Sequence, residues 1–65
     1  MQVRYDKEVD AAHIRLSRKR PTGAVEVQEG VILHLTDKDE LVAIEILDAS
    51  KRFPIRSLFT FEFVR

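Results

Sequence analysis

The alternation between Val31 and Leu47 constrains this chain more than any other feature. Val31, Leu33 and Leu35 alternate with Ile32, His34 and Thr36, and after a polar break Val42, Ile44 and Ile46 alternate with Leu41, Ala43, Glu45 and Leu47. Period-two alternation rich in β-branched residues predicts two strands. With Lys38-Asp39 as a two-residue loop, Thr36 faces Leu41, Leu35 faces Val42, Leu33 faces Ile44 and Val31 faces Ile46. Residues directly opposite one another project to the same side of a sheet. This register therefore gathers the aliphatic side chains on one face, and a slip of one residue would scatter them over both. The break lacks the glycine that two-residue loops favour, so a longer loop is the alternative.

The preceding chain repeats the pattern. Met1, Val3 and Tyr5 form one alternating set and Ala12, Ile14 and Leu16 another, with a hairpin register of Val3 against Ile14 and Tyr5 against Ala12. Between them, Asp6, Glu8 and Asp10 have the spacing of calcium ligands. An EF-hand loop needs glycine at its sixth position and glutamate at its twelfth, and here those positions hold Ala11 and Ser17. The segment therefore reads as a solvated loop in which Asp6 and Asp10 bond local backbone amides. Ala24–Val27 is a third strand, joined to Val31 by Gln28-Glu29-Gly30. A three-residue loop with glycine in the left-handed conformation would pair Val27 with Val31 and Val25 with Leu33.

After Leu47, Asp48 is placed to cap a short helix that Pro54 must end. Ala49 would pack on the sheet, with Lys51 and Arg52 facing solvent near the helix end. In the tail, Phe59, Phe61 and Phe63 alternate with Thr60 and Glu62, which predicts a C-terminal strand over 59–64, although Ile55, Leu58, Phe59 and Glu62 also suit a helix. The expected architecture is α+β and mostly β. It is an antiparallel meander of about five strands, one short helix after strand five and a C-terminal strand, in a single domain over 1–65.

A chain of 65 residues buries only about 60% of its unfolded surface. With no cysteine, neither disulfides nor a thiolate zinc site can reinforce the core, and this usage fits the cytoplasm. Self-association, most simply as a homodimer, or binding to a small protein partner is the remaining route to stability. The outer face of the second half of the sheet is correspondingly apolar. Ile32, Leu41 and Leu47 there, with Phe59, Phe61 and Phe63 of the tail, are candidate interface residues, whereas the simpler reading has the phenylalanines complete the core.

Other functions are poorly supplied. Lys plus Arg and Asp plus Glu both number 11, against the basic balance of a non-specific nucleic-acid binder. Arg15, Arg18, Lys19 and Arg20 form the densest basic cluster and are the candidate phosphate contacts, without an interleaved aromatic to stack on bases. No apolar run is long enough to cross a membrane, and no signal peptide is visible. His13 and His34 would be kept apart by strand three in a sequential strand order, and no third ligand is placed with them, so no metal site is expected. Ser17, Ser50 and Ser57 lack a hydrolase elbow, no glycine-rich phosphate loop exists, and no cofactor or catalytic residue is expected.

Three pieces of the chain, Tyr5-Asp6-x-Glu8-x-Asp10-Ala11 with Ile14-x-Leu16, Glu29-Gly30-Val31-Ile32-Leu33, and Ile44-Glu45-Ile46-Leu47-Asp48-Ala49-Ser50-Lys51-Arg52, resemble an uncharacterised, mostly bacterial family, domain of unknown function 2283. The resemblance runs from residue 3 to about 53. It departs from the family at Asp39-Glu40, where such sequences often have Asp-Gly, and at Ala12, where they often carry a bulkier residue. It implies small stand-alone proteins and no catalytic residues. By analogy with other tiny bacterial proteins, it also suggests an antitoxin-like partner of a small toxin. Asp48, Ser50, Lys51 and Arg52 are then either a capped turn or a polar recognition patch. These readings together predict a non-enzymatic protein-interaction module that self-associates, with weak nucleic-acid binding by the 15–20 loop as the alternative.

Overall fold

The computed structural model describes residues 1–64. Five antiparallel strands form one sheet: β1 (Gln2–Asp6), β2 (Ala11–Arg15), β3 (Gly23–Gln28), β4 (Val31–Leu35) and β5 (Leu41–Leu47). One helical turn, α1 (Ala49–Arg52), follows β5, and a 3-10 turn covers Ile55–Phe59. The mostly-β meander expected from the alternation is present, with one refinement of its order, which is β1-β2-β5-β4-β3. Strands β3, β4 and β5 run in sequence, but the first hairpin docks on β5 rather than on β3. The inner edge of β5 accepts β2 because Ile14 and Ala12 there meet Ile44 and Ile46. The exposed strand β3 becomes an outer edge.

The registers follow the alternation. Val3 faces Ile14, Tyr5 faces Ala12, Leu33 faces Ile44, Val31 faces Ile46 and Val25 faces Leu33. One apolar row, Val3–Ile14–Ile44–Leu33–Val25, thus crosses every strand, and a second, Tyr5–Ala12–Ile46–Val31, crosses four of them.

Both expected turns are corrected in detail. The central connection is not a two-residue loop at Lys38-Asp39. Thr36 and Glu40 close it, with the Thr36 amide donating to Glu40 (2.9 Å) and the Asp39 amide to Thr36 (3.0 Å), and Asp39 takes a positive φ of 62°. The extra residue is absorbed by a bulge in β5, so Leu35 faces Leu41 rather than Val42. The bulge interrupts the alternation, so Leu41 is brought opposite Leu35 at the end of the sheet. In the other turn Gly30 adopts the expected left-handed conformation (φ 79°). However, Gln28 faces Val31, so only Glu29-Gly30 link the strands, and the irregularity lies in β3 between Glu26 and Gln28.

The C-terminal strand expected over 59–64 does not form. Ile55–Phe59 coil into the 3-10 turn, and Thr60–Val64 carry no strand. Pro54 starts this local turn, whose Ser57 amide bonds the Pro54 carbonyl; it takes Phe59 from the expected strand, and Thr60–Val64 pair with no other strand among the described residues. The expectation that the phenylalanines complete the core also fails. Phe53 is half-buried, but Phe59, Phe61 and Phe63 are 66%, 75% and 76% exposed.

The result is a slab of 32 × 31 × 18 Å. Its buried apolar residues are Ala12, Val42, Ala43 and Ala49, and the largest wholly buried side chain is a valine, Val42. Every residue of β4 is half-buried, on both faces alike. Among the described residues only α1, through the wholly buried Ala49, and the half-buried Phe53, Ile55 and Leu58 supplement the sheet; this falls short of the second layer against which a sheet normally buries one face.

Candidate functional site

The most highly organised polar site lies at the sheet end where the β1–β2 turn, the β3–β4 turn and α1 meet. Asp10 is at its centre. Its carboxylate accepts the Tyr5 hydroxyl (2.7 Å), the Ser50 hydroxyl (2.7 Å) and the Ser50 amide (3.0 Å), while its carbonyl accepts the Ala49 amide (2.9 Å). The first amides of a helix have no partner within it, and here Asp10 supplies two of them from across the fold. This corrects the expected cap. Asp48 makes no capping bond, because a left-handed backbone (φ 52°) turns the chain from β5 into α1 there. Asp10 itself has a positive φ of 54°, which aspartate tolerates better than most residues. Asp6 does behave as expected, accepting the Glu8 amide locally (3.0 Å).

The bonds from Tyr5, and then those from Ser50, hold the Asp10 carboxyl below its ordinary range, and the same contact raises the Tyr5 hydroxyl. Both carboxylate oxygens are engaged by Tyr5 and Ser50, so the Tyr5–Asp10–Ser50 group is a clamp that ties the β1–β2 turn to α1.

Arg52 closes the other side of the same end. Its guanidinium donates to the Leu47 carbonyl (2.9 Å) and to the Glu29 carbonyl. It lies so close to the turn that a Cβ on Gly30 would sit 2.5 Å from it. Arg52 is exposed, as expected from sequence, and its guanidinium also ties α1 to the β3–β4 turn. All four residues of the candidate patch are exposed, with Ser50 and Arg52 also hydrogen-bonded within the fold.

The basic cluster lies at the opposite end. Arg15 donates to the carbonyls of Ser17 (2.9 Å) and Lys19 (3.3 Å), bracing the loop it precedes. Lys19 pairs with Glu40 at 2.5 Å, lowering the Glu40 carboxyl. Arg18 and Arg20 are exposed and make no ion pair among the described residues. A shallow open depression of about 520 Å³ lined by Met1, Gln2, Arg15, Leu16, Ser17 and Arg18 lies beside them.

On the outer face the strand order brings together residues that sequence reasoning separated. Strands β2 and β4 both flank β5, so His13 and His34 approach to 6.1 Å between ring centres, with His34 Nε2 3.4 Å from Glu45 Oε1. The expected separation by β3 is thus corrected. Among the described residues, no three His, Asp or Glu side chains converge to hold a metal ion. Ile32 is half-buried and Leu47 partly exposed on this face. No helix is long and apolar enough to cross a membrane.

The β1–β2 turn, the Glu29–Gly30 turn and the run through Ser50 that build the clamp are also the pieces that carry the family resemblance. No solved structure matches the chain. A protein of Methanosarcina mazei named putative hypoxanthine phosphoribosyltransferase is 41% identical over 49 residues, which cover 75% of this chain but 39% of that protein. The chain thus spans about two fifths of the length of the curated relative it matches. The sequence model described as "Protein of unknown function (DUF2283)" matches residues 2–50, from the first residue of β1 to the Ser50 of the clamp, and the chain belongs to this family.

Proposed function

We propose that this chain is a non-enzymatic interaction module that works as a homodimer, covering its apolar sheet face with a second copy. The observation that carries the reading is the absence, among the described residues, of a full second layer. Two apolar rows cross the sheet, yet no side chain larger than valine is wholly buried. A small domain whose core is this thin gains its remaining burial by association. The sheet-end clamp supports the same reading, since its polar groups bond one another and hold the slab rigid. The relative from Methanosarcina mazei carries the matching segment within a longer chain, as suits a module that can be joined to other sequence.

Light scattering across a hundredfold range of concentration tests this. A mass of twice the chain, falling only at high dilution, is expected. A monomer at every concentration overturns it. Purification from native cells adds a second arm: a small protein retained in fixed ratio, with the homodimer absent, would replace self-association by an antitoxin-like pairing.

A further inference from the structure

We propose that the tail segment Thr60–Val64 of one copy adds as a sixth strand to the open edge of β1 in a second copy, reciprocally, with Glu62 against Arg4. This deepens the self-association reading and rests on it. Along β1, Val3 and Tyr5 lie on the apolar face and flank Arg4 on the outer face. In the tail, Phe61 and Phe63 flank Glu62 in the same alternation. Laid beside β1, each phenylalanine extends one of the two apolar rows by a strand, and Glu62 sets a carboxylate beside Arg4 at the end of the outer row Arg4–His13–Glu45. Opposite charges directly across a strand pair stabilise it and like charges oppose it.

The alternative edge fits worse. Strand β3 offers Glu26 where β1 offers Arg4, and its ladder is interrupted between Glu26 and Gln28. Arg4 makes no ion pair among the described residues, and both Arg4 and Glu62 are exposed. The area also suffices. Phe61, Phe63 and Val64 are 75–79% exposed, which amounts to roughly 400 Å² of apolar surface per tail at typical side-chain areas. Two exchanged tails with the surfaces beneath them sum to at most roughly 1,600 Å², within the size of stable interfaces.

Charge reversal in trans provides the test. Arg4→Glu and Glu62→Arg each place like charges across both copies of the contact, so each variant alone should dissociate at about tenfold or more higher concentration than the wild type, measured by light scattering. Mixing the two should restore the dimer, because each tail then meets an opposite charge on the other chain. Circular dichroism of each variant checks that the exposed substitutions leave the fold intact. A wild-type dimer that neither substitution weakens overturns the tail exchange while leaving self-association standing. Weakening without recovery on mixing, but with recovery in the Arg4→Glu/Glu62→Arg double variant, places the tail on its own chain and overturns exchange between copies. A wild type that is monomeric throughout removes both readings.

Discussion

Replacing Gly30 by valine should be among the most damaging single changes in this chain, and the structure separates its two costs. The first is conformational: Gly30 sits at φ 79°, where a β-branched residue is strained by about 1–3 kcal/mol. The second is steric: a Cβ would lie 2.5 Å from the Arg52 guanidinium. Displacing that group removes its bonds to the Leu47 and Glu29 carbonyls, at about 0.5–1.5 kcal/mol each. Together these give about 2–6 kcal/mol, and at about 4–8 °C per kcal/mol for a domain of this size the melting temperature should fall by roughly 8–48 °C. Thermal and urea unfolding at one fixed protein concentration would measure this, since association makes stability depend on concentration. In an Arg52→Ala background the cost of Gly30→Val should shrink by about the steric share. Gly30→Asn, which tolerates the positive φ but keeps the Cβ, should lose mainly that share. A Gly30→Val protein melting like the wild type, or an unchanged cost in the Arg52→Ala background, would refute the proposed packing of this turn.

Other outcomes follow from the same geometry. The Asp10 carboxyl is lowered on folding, so its contribution is fully present above its unfolded value and is lost as pH falls through the lower folded one. Urea midpoints should therefore drop below about pH 4, and Asp10→Asn should flatten that acid slope while lowering stability at neutral pH. Glu40→Gln removes the exposed pair with Lys19 and should leave the melting temperature unchanged at physiological salt, because such surface pairs contribute little. Fluorescence anisotropy with a labelled oligonucleotide should show no binding at low salt, since Arg15 braces its own loop and Lys19 is paired with Glu40, leaving two of the four basic residues, Arg18 and Arg20, outside any ion pair among the described residues; a steep salt-dependent affinity would contradict this.

The strands were legible because one face of each must be apolar, and alternation with a period of two records that demand directly. Registers such as Val3 against Ile14 follow once the face is known. What alternation does not record is which hairpin neighbours which. Strands β2 and β3 both carry alternating apolar residues, and only the sheet shows that β2 pairs with β5. The turns were half legible. Gly30 marks a positive φ plainly, whereas Asp10, Asp39 and Asp48 reach the same region without the residue that usually signals it. The clamp was the least legible feature. Asp48 stands where a cap should, but Asp10, 40 residues before Ser50, does the capping. A long-range bond of this kind leaves no local pattern. The tail misled because its alternation describes a strand that has no neighbour within its own chain.

The position of β5 at the middle of the sheet has a consequence for how the chain is made. The last strand of this sheet to leave the ribosome is the one that both of its halves require. Residues 11–15 can close a hairpin on residues 2–6 as soon as they emerge, but their second edge stays open until residues 43–47 arrive. Strands β3, β4 and β5 join through short local loops, whereas docking the first hairpin closes a long one, and such closure is slower. During that interval the inner edge of β2, with Ala12 and Ile14, is available to any other extended chain nearby. The nascent chain is thus most vulnerable to mispairing just before its fifth strand is complete.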